Sequence, residues 1–289
     1  MARLAYLGTP DLAVPPLRAL VDAGHEVVLV VTRPDRRRGR GSQLSPSPVK
    51  RAATELAIPV TEQVDDVVGA GAELGVVVAF GRIIKPHVLA ALPMVNLHFS
   101  LLPRWRGAAP LERAILAGDT ETGVCLMAVE EGLDTGAVYD CRRLAIGEQD
   151  TLEDLRHQLS RMGAELLVER LAGGVAGLGL PVAQEGEATY APKLDPAELR
   201  IDWSQDAARI SRVVRLGGAW TTFRGRRLRI LQARPVADGP EPGRIAGVVV
   251  GAGAGGVELV VVQPEGRAAM PATEWARGAR PGPDDVLGG

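Results

Sequence analysis

The sequence predicts an open α/β sheet followed by a small all-β domain, and three observations carry that expectation. Short, fully apolar runs such as RLAYLG (residues 3–8), HEVVLVVT (25–32) and ELGVVVAFG (73–81) alternate with amphipathic stretches over the first 175 residues or so. Beyond residue 179 the texture changes to a polar, proline-bearing segment, and then to short apolar runs separated by Gly, Pro and Arg. The chain has 289 residues, 46% hydrophobic and 24% charged, which is enough material for two cores.

The elements follow in order. After the first strand, TPDLAVPPLRALVDAG (9–24) reads as a turn and a helix ending at Gly24, with the second apolar strand behind it. Helix SPVKRAATELA (47–57), short strand IPVTE (58–62), buried strand ELGVVVAFG and helix KPHVLAAL (85–92) lead into MVNLHFS (94–100). Helix APLERAILAG (109–118) precedes TGVCLMAVE (122–130) and GAVYDCRRLAI (136–146), which resemble paired late strands. Residues 151–174 form a long amphipathic helix with Thr151 as N-cap. Residues 180–204 show no period and read as a linker. A helix (204–217) and runs at 220–223, 226–236, 243–253 and 256–264 then suggest a small barrel or sandwich. The domains are therefore expected at 1–180 and 201–289, with a linker at 181–200.

Formal charge is −2, which excludes a general polyanion binder, but the distribution is uneven. Residues 33–51 hold seven basic side chains and one acid, and residues 207–237 hold eight arginines and no acid. A single charge run is more often a solvated face; two on a near-neutral chain suggest a localised anionic partner. Cys125 and Cys141 are too few for a disulfide framework and lack metal-ligand spacing, so buried thiols are expected. There is no signal-peptide pattern at the start and no apolar run near ~18 residues. A soluble, cytoplasmic protein is expected.

In VNLHFS a side-chain period of two puts Asn96, His98 and Ser100 on one face, opposite Val95, Leu97 and Phe99. A lone histidine is more often a satisfied structural one. A histidine beside a fixed amide donor suits acyl-type transfer, because imidazole moves a proton near neutral pH while the amide stabilises an oxyanion. Asp134, between two glycines in EGLDTG, is either a turn aspartate or the carboxylate that supports the ring. Ser100 lacks a G-x-S-x-G elbow and reads as a backbone or ligand contact. Gly8 lacks G-x-G-x-x-G and P-loop context and reads as a turn. His25 and His157 are expected at surface or helix positions, with His87 opening a helix. No metal site is supported.

NLHFSLLPRWRGAAP followed by GLDTG closely resembles the folate-dependent formyltransferase family, and GTPD with PDRRRGRGSQLSPSPVK extends the likeness. The resemblance implies a Rossmann-like, mostly parallel N-terminal sheet and an OB-like C-terminal β-barrel. It implies transfer of the formyl group of 10-formyltetrahydrofolate to the α-amino group of methionine on initiator tRNA, by a monomer without a metal. A relative acting on a sugar-nucleotide or other small amine is the alternative. Asn96, His98 and Asp134 match the catalytic trio. Ser100, Leu101, Leu102 and Pro103 match the folate-contacting turn, with Phe80, Arg82, Ile84, Glu130 and Gly132 around the pterin. Arg36, Arg37, Arg38 and Arg40 occupy the place of a tRNA-entering loop, and Lys193, Arg212 and Arg215 would extend that track. Two departures stand out: Phe99, where the common pattern has Gly, and a short segment at 60–75.

Overall fold

The computed structural model describes residues 1–37, 44–282 and 284–289, with the side chain of residue 37 also outside the description. In chain order the first elements are β1 (Arg3–Gly8), α1 (Val14–Asp22), β2 (Glu26–Val31), β3 (Arg36–Arg37), β4 (Leu44–Ser45), α2 (Pro48–Glu55) and β5 (Val60–Thr61). There follow β6 (Leu74–Val78), α3 (Pro86–Ala91), β7 (Met94–His98), β8 (Arg106–Gly107), α4 (Pro110–Ala117), β9 (Glu121–Ala128), β10 (Val138–Ala145), α5 (Leu152–Leu171) and β11 (Tyr190–Ala191). The chain divides into two compact units. The first comprises Met1–Leu111, Glu121–Ala145 and Arg156–Pro192; the second comprises Glu112–Thr120, Ile146–Leu155 and Lys193–Gly289.

The first unit is built on a seven-stranded sheet in the order β10-β9-β7-β6-β1-β2-β5. From β7 to β5 neighbouring strands are parallel, whereas β9 runs antiparallel to β7 and β10 antiparallel to β9. β6 is buried at every position, which is why its residues read as an unbroken apolar run. The chain winds from β1 outward to β5 and then returns to β6 and β7. The carboxyl ends of β1, β6 and β7 thus surround the place where such sheets bind ligands. α5 packs on this sheet: a Cβ at Gly163 would lie 3.0 Å from Leu97 Cδ1, and Ser160 Oγ donates to the Leu12 carbonyl at 2.6 Å. Its N-terminus is closed reciprocally, Asp154 N–H donating to Thr151 Oγ1 at 3.2 Å and Thr151 N–H to Asp154 Oδ2 at 3.0 Å.

Two expectations are corrected here. Cys125 and Cys141 are joined by a disulfide; they face each other in register on β9 and β10 with their Cα atoms 4.1 Å apart, so pairing needs no favourable sequence spacing. His25 is buried at 7% exposure, its Nδ1 accepting the Ala2 backbone N–H at 3.2 Å, and so sits inside the fold.

The second unit contains α6 (Ala207–Arg215), β12 (Trp220–Phe223), β13 (Arg226–Val236), β14 (Ile245–Ala246), β15 (Val249–Gly251), β16 (Gly256–Pro264), β17 (Met270–Pro271) and α7 (Ala272–Ala279). Its strands form one antiparallel sheet, β12-β13-β16-β15-β14, with β17 also on β16. Leu228, Ile230, Val257, Leu259, Val262 and Trp275 are buried, and the Phe223 and Trp275 rings meet edge to face at 5.2 Å. α7 is an element the sequence reading does not contain. The architecture is thus a mixed α/β unit with a mostly parallel sheet and a separate antiparallel β unit.

Candidate active site

Asn96 and His98 lie two residues apart on β7, Asn96 in register with Val77 and Met127, His98 with Cys125. β7 ends at His98, so Ser100 belongs to the following turn rather than to a continued strand face. It is buried there at 1% exposure, with Oγ donating to the Arg104 carbonyl at 2.6 Å. Phe99 is buried at 5% exposure, so the one departure at this strand end is accommodated as an apolar side chain. The Leu102–Pro103 peptide is cis, and Trp105 has φ +63°. The Trp105 carbonyl lies 2.9 Å from His98 Nε2. A carbonyl can only accept, so Nε2 carries the hydrogen and Nδ1 is the ring atom left to the other side.

That other side holds Asp134. Its Oδ2 is 3.6 Å from His98 Nδ1, longer than a direct hydrogen bond, and accepts the Gly107 N–H at 2.8 Å. Both side chains are enclosed, at 6% exposure for His98 and 15% for Asp134. Asp134 has φ +50°, a conformation that a short polar residue tolerates best. The structure therefore brings Asn96, His98, Asp134 and the 100–103 turn to one end of the sheet.

The remaining sequence candidates divide. Leu101 packs over Gly123, where a Cβ would lie 2.4 Å from Leu101 Cδ2. Phe80 and Ile84 are buried in an apolar cluster with Val77 and Val88. Arg82 is exposed, donates to the Glu62 carbonyl at 2.7 Å and lies over the Phe80 ring. Glu130 and Gly132 are exposed in the loop before Asp134. Of the basic candidates, Arg36 is exposed on β3, while Arg38 and Arg40 lie outside the described residues. Lys193 is exposed, and its carbonyl accepts from Arg113. Arg212 packs against Gly118 within the second unit. Arg215 is partly buried and donates to the Asp150 and Gly147 carbonyls at 2.7 and 2.8 Å; burial lowers its pKa. Arg215 is thus occupied in holding a turn of its own unit.

Sequence reasoning misses four residues that bear on the site: Arg106, Gly107, Gln184 and Thr189. Trp105 N–H donates to Thr189 Oγ1 at 2.9 Å, and β11 pairs in parallel with β8. Of these signals only the glycine after Trp-Arg is visible in sequence; the partners are some eighty residues away. On the second unit the alternation of β13 buries Leu228 and Ile230 and turns Arg227 and Arg229 outward. Arg227 and Arg200 lie over the Trp220 ring at 4.4 and 5.7 Å from its centroid, beside an open groove of about 460 Å³ lined by Gly218, Arg227, Arg229, Gln263 and Glu265. Among the described residues no group of His, Cys, Asp and Glu is arranged to hold a metal ion, and no helix is long and apolar enough to cross a membrane.

An enclosed histidine with a carboxylate on one side and an amide two residues before it, at the carboxyl end of a mostly parallel sheet, is a setting in which a proton can be moved and a developing oxyanion stabilised. The sequence matches the Formyl transferase family over residues 2–171 and the Formyl transferase C-terminal domain over residues 193–280, and the chain belongs to that family. Among its relatives, the methionyl-tRNA formyltransferase of Heliobacterium modesticaldum is 46% identical over 310 residues, covering 97% of this chain and 98% of that protein. The methionyl-tRNA formyltransferase of Paracoccus denitrificans is 45% identical over 295 residues, covering 96% and 97%. The solved structure of HypX from Aquifex aeolicus in complex with tetrahydrofolic acid matches with a TM-score of 0.67 at 18% identity over 96% of this chain, a likeness of fold alone. The chain spans about half the length of that protein, 47%.

Proposed function

We propose that this chain transfers the formyl group of 10-formyltetrahydrofolate to the α-amino group of methionine on initiator tRNA, for translation initiation. One observation carries the choice of acceptor: the likeness to methionyl-tRNA formyltransferases runs at 46% identity through 97% of the chain and includes both units.

Asn96, His98 and Asp134 carry the chemistry in this reading. The neutral amine adds to the formyl carbon, and the Asn96 amide N–H groups and the protonated His98 ring stabilise the charge that develops on the formyl oxygen. The new bond joins the methionine nitrogen to the formyl carbon. The bond between that carbon and the folate N10 breaks, the proton shed by the amine goes to N10, and tetrahydrofolate leaves. Because Nε2–H is held by Trp105, Nδ1 is where the ring gains and releases its proton, with Asp134 3.6 Å away to stabilise the imidazolium. Ser100, Leu101, Leu102 and Pro103, with the backbone of 80–84 and the loop 130–132, bound the folate.

The catalytic assignment covers residues 1–180, and residues 201–289 are assigned as an OB-like tRNA-binding barrel. The arginine-rich segment 33–51 and the face of Arg227 and Arg229 supply phosphate contacts. Within 33–51, Arg33 donates to the Gly81 carbonyl and Lys50 pairs with Asp35, and the binding role is proposed for Arg36, Arg37, Arg38 and Arg40. The test is transfer of labelled formyl from 10-formyltetrahydrofolate to methionyl initiator tRNA, with charged elongator tRNA as control. Formylation of a sugar-nucleotide or other small amine, without formylation of initiator tRNA, would overturn the assignment.

A further inference from the structure

Residues 181–192 lie along the first unit as a strap. Val182 and Val138 exchange backbone hydrogen bonds at 2.8 Å in each direction. Arg106 N–H donates to the Thr189 carbonyl at 2.8 Å, Thr189 N–H donates to the Pro103 carbonyl at 3.3 Å, and Tyr190–Ala191 pairs with Arg106–Gly107. Between these anchors sits Gln184. Its Nε2 donates to the carbonyls of Asp134 and Gly136, both at 2.8 Å, and its Oε1 accepts from Arg106 Nε and NH2 at 3.1 and 2.7 Å. Two carbonyls on one side and a guanidinium on the other admit only one orientation of the amide, and all of its hydrogen-bonding capacity is used.

The turn it grips is the one that carries Asp134. Asp134 has φ +50°, and a Cβ at Gly136 would come 1.9 Å from the Ala128 carbonyl oxygen, so this turn is pressed against β9. Gln184 grips the same turn by two of its carbonyls and ties it to Arg106, the residue before the Gly107 N–H that fixes the Asp134 carboxylate.

We infer that Gln184 is a positioning residue for formyl transfer: by clamping the 134–136 turn to Arg106 it keeps the Asp134 carboxylate at His98 Nδ1. The inference rests on the reading of Asn96, His98 and Asp134 as the reacting centre. Gln184→Glu is the discriminating substitution. It keeps an acceptor for Arg106 but sets a carboxylate oxygen against two carbonyls that have lost their donors. Gln184→Ala removes both contacts.

The experiment measures kcat and KM for 10-formyltetrahydrofolate and methionyl initiator tRNA, on the full chain, in Gln184→Glu, Gln184→Ala, Asp134→Asn and the Asp134→Asn/Gln184→Ala double variant. The expected result is a fall in kcat of about 10- to 100-fold in both Gln184 variants, with each KM within about threefold of the unsubstituted chain. In the Asp134→Asn background, Gln184→Ala should cost no more than about threefold further, because its effect is exerted through Asp134. Full additivity in the double variant, or a loss confined to KM, would overturn the proposal. So would full activity of both Gln184 variants beside an inactive Asp134→Asn. Full activity of Asp134→Asn would overturn the assignment of the reacting centre, and the proposal with it.

Discussion

Asp134 Oδ2 is shared between a backbone donor and the His98 ring: it accepts Gly107 N–H at 2.8 Å and stands 3.6 Å from His98 Nδ1. The shorter contact fixes the carboxylate so that its charge is available to the histidine without the reorganisation that would otherwise accompany proton transfer. His98→Ala should abolish formyl transfer, and Asn96→Ala should lower kcat by about 10²- to 10³-fold while leaving the fold intact. Steady-state rates with matched circular dichroism check both.

Gly107 is irreplaceable on two counts. Its φ is +123°, and a Cβ would lie 2.8 Å from the Ala191 carbonyl oxygen. Gly107→Ala should therefore destabilise the chain by about 1–3 kcal/mol or more and lower kcat together, since the same residue donates to Asp134. Denaturant midpoints beside rate measurements would show both losses.

The Arg227–Trp220 face predicts salt-dependent tRNA binding. Affinity should fall steeply between about 50 and 200 mM salt, and Arg227→Ala should weaken binding and reduce the slope of log K against log salt by about one. Arg40→Ala, in the segment outside the described residues, should likewise weaken use of tRNA while sparing folate binding. Filter binding at several salt concentrations, beside folate titration, checks these outcomes.

The second unit carries an acid-sensitive clamp. The Arg224 guanidinium first, and the Gly282 N–H second, hold the Asp285 carboxyl at a pKa of about 2, below its ordinary 3.8. A carboxyl lowered on folding contributes stability that is present above about pH 4 and lost as pH falls through about 2. The melting temperature should drop over that window, and Asp285→Asn should flatten the drop; thermal melts across pH 2–5 in both proteins decide it.

Much of the sheet is legible in sequence because burial on both faces writes itself as unbroken apolar runs, as in β6. Asn96 and His98 are legible because polar side chains at alternate positions of such a run have no packing rationale. The family likeness supplied Asp134 with its role. Its setting was hidden: Gln184 and the β8–β11 pairing join residues 48 to 84 positions apart, and no local period marks them or the left-handed turn. His25 misled for the same reason, its acceptor role depending on Ala2, 23 residues away across the first β-α-β crossover. The arginines of α6 looked like a binding track, but Arg209 and Arg215 spend their donors on carbonyls of Leu116, Gly147 and Asp150, which only the folded chain reveals.

The strap changes where the first unit can be cut. Family likeness for the N-terminal part stops at residue 171, the last residue of α5, and a fragment designed on that limit would look complete by its sheet and helices. It would lack Gln184, Thr189 and the edge pairing of Tyr190–Ala191, and with them the hydrogen bonds these residues make to the Asp134 turn and to the Trp105–Gly107 segment. Excised modules, circular permutants and fusions that are meant to keep the reacting centre should carry the chain through Pro192.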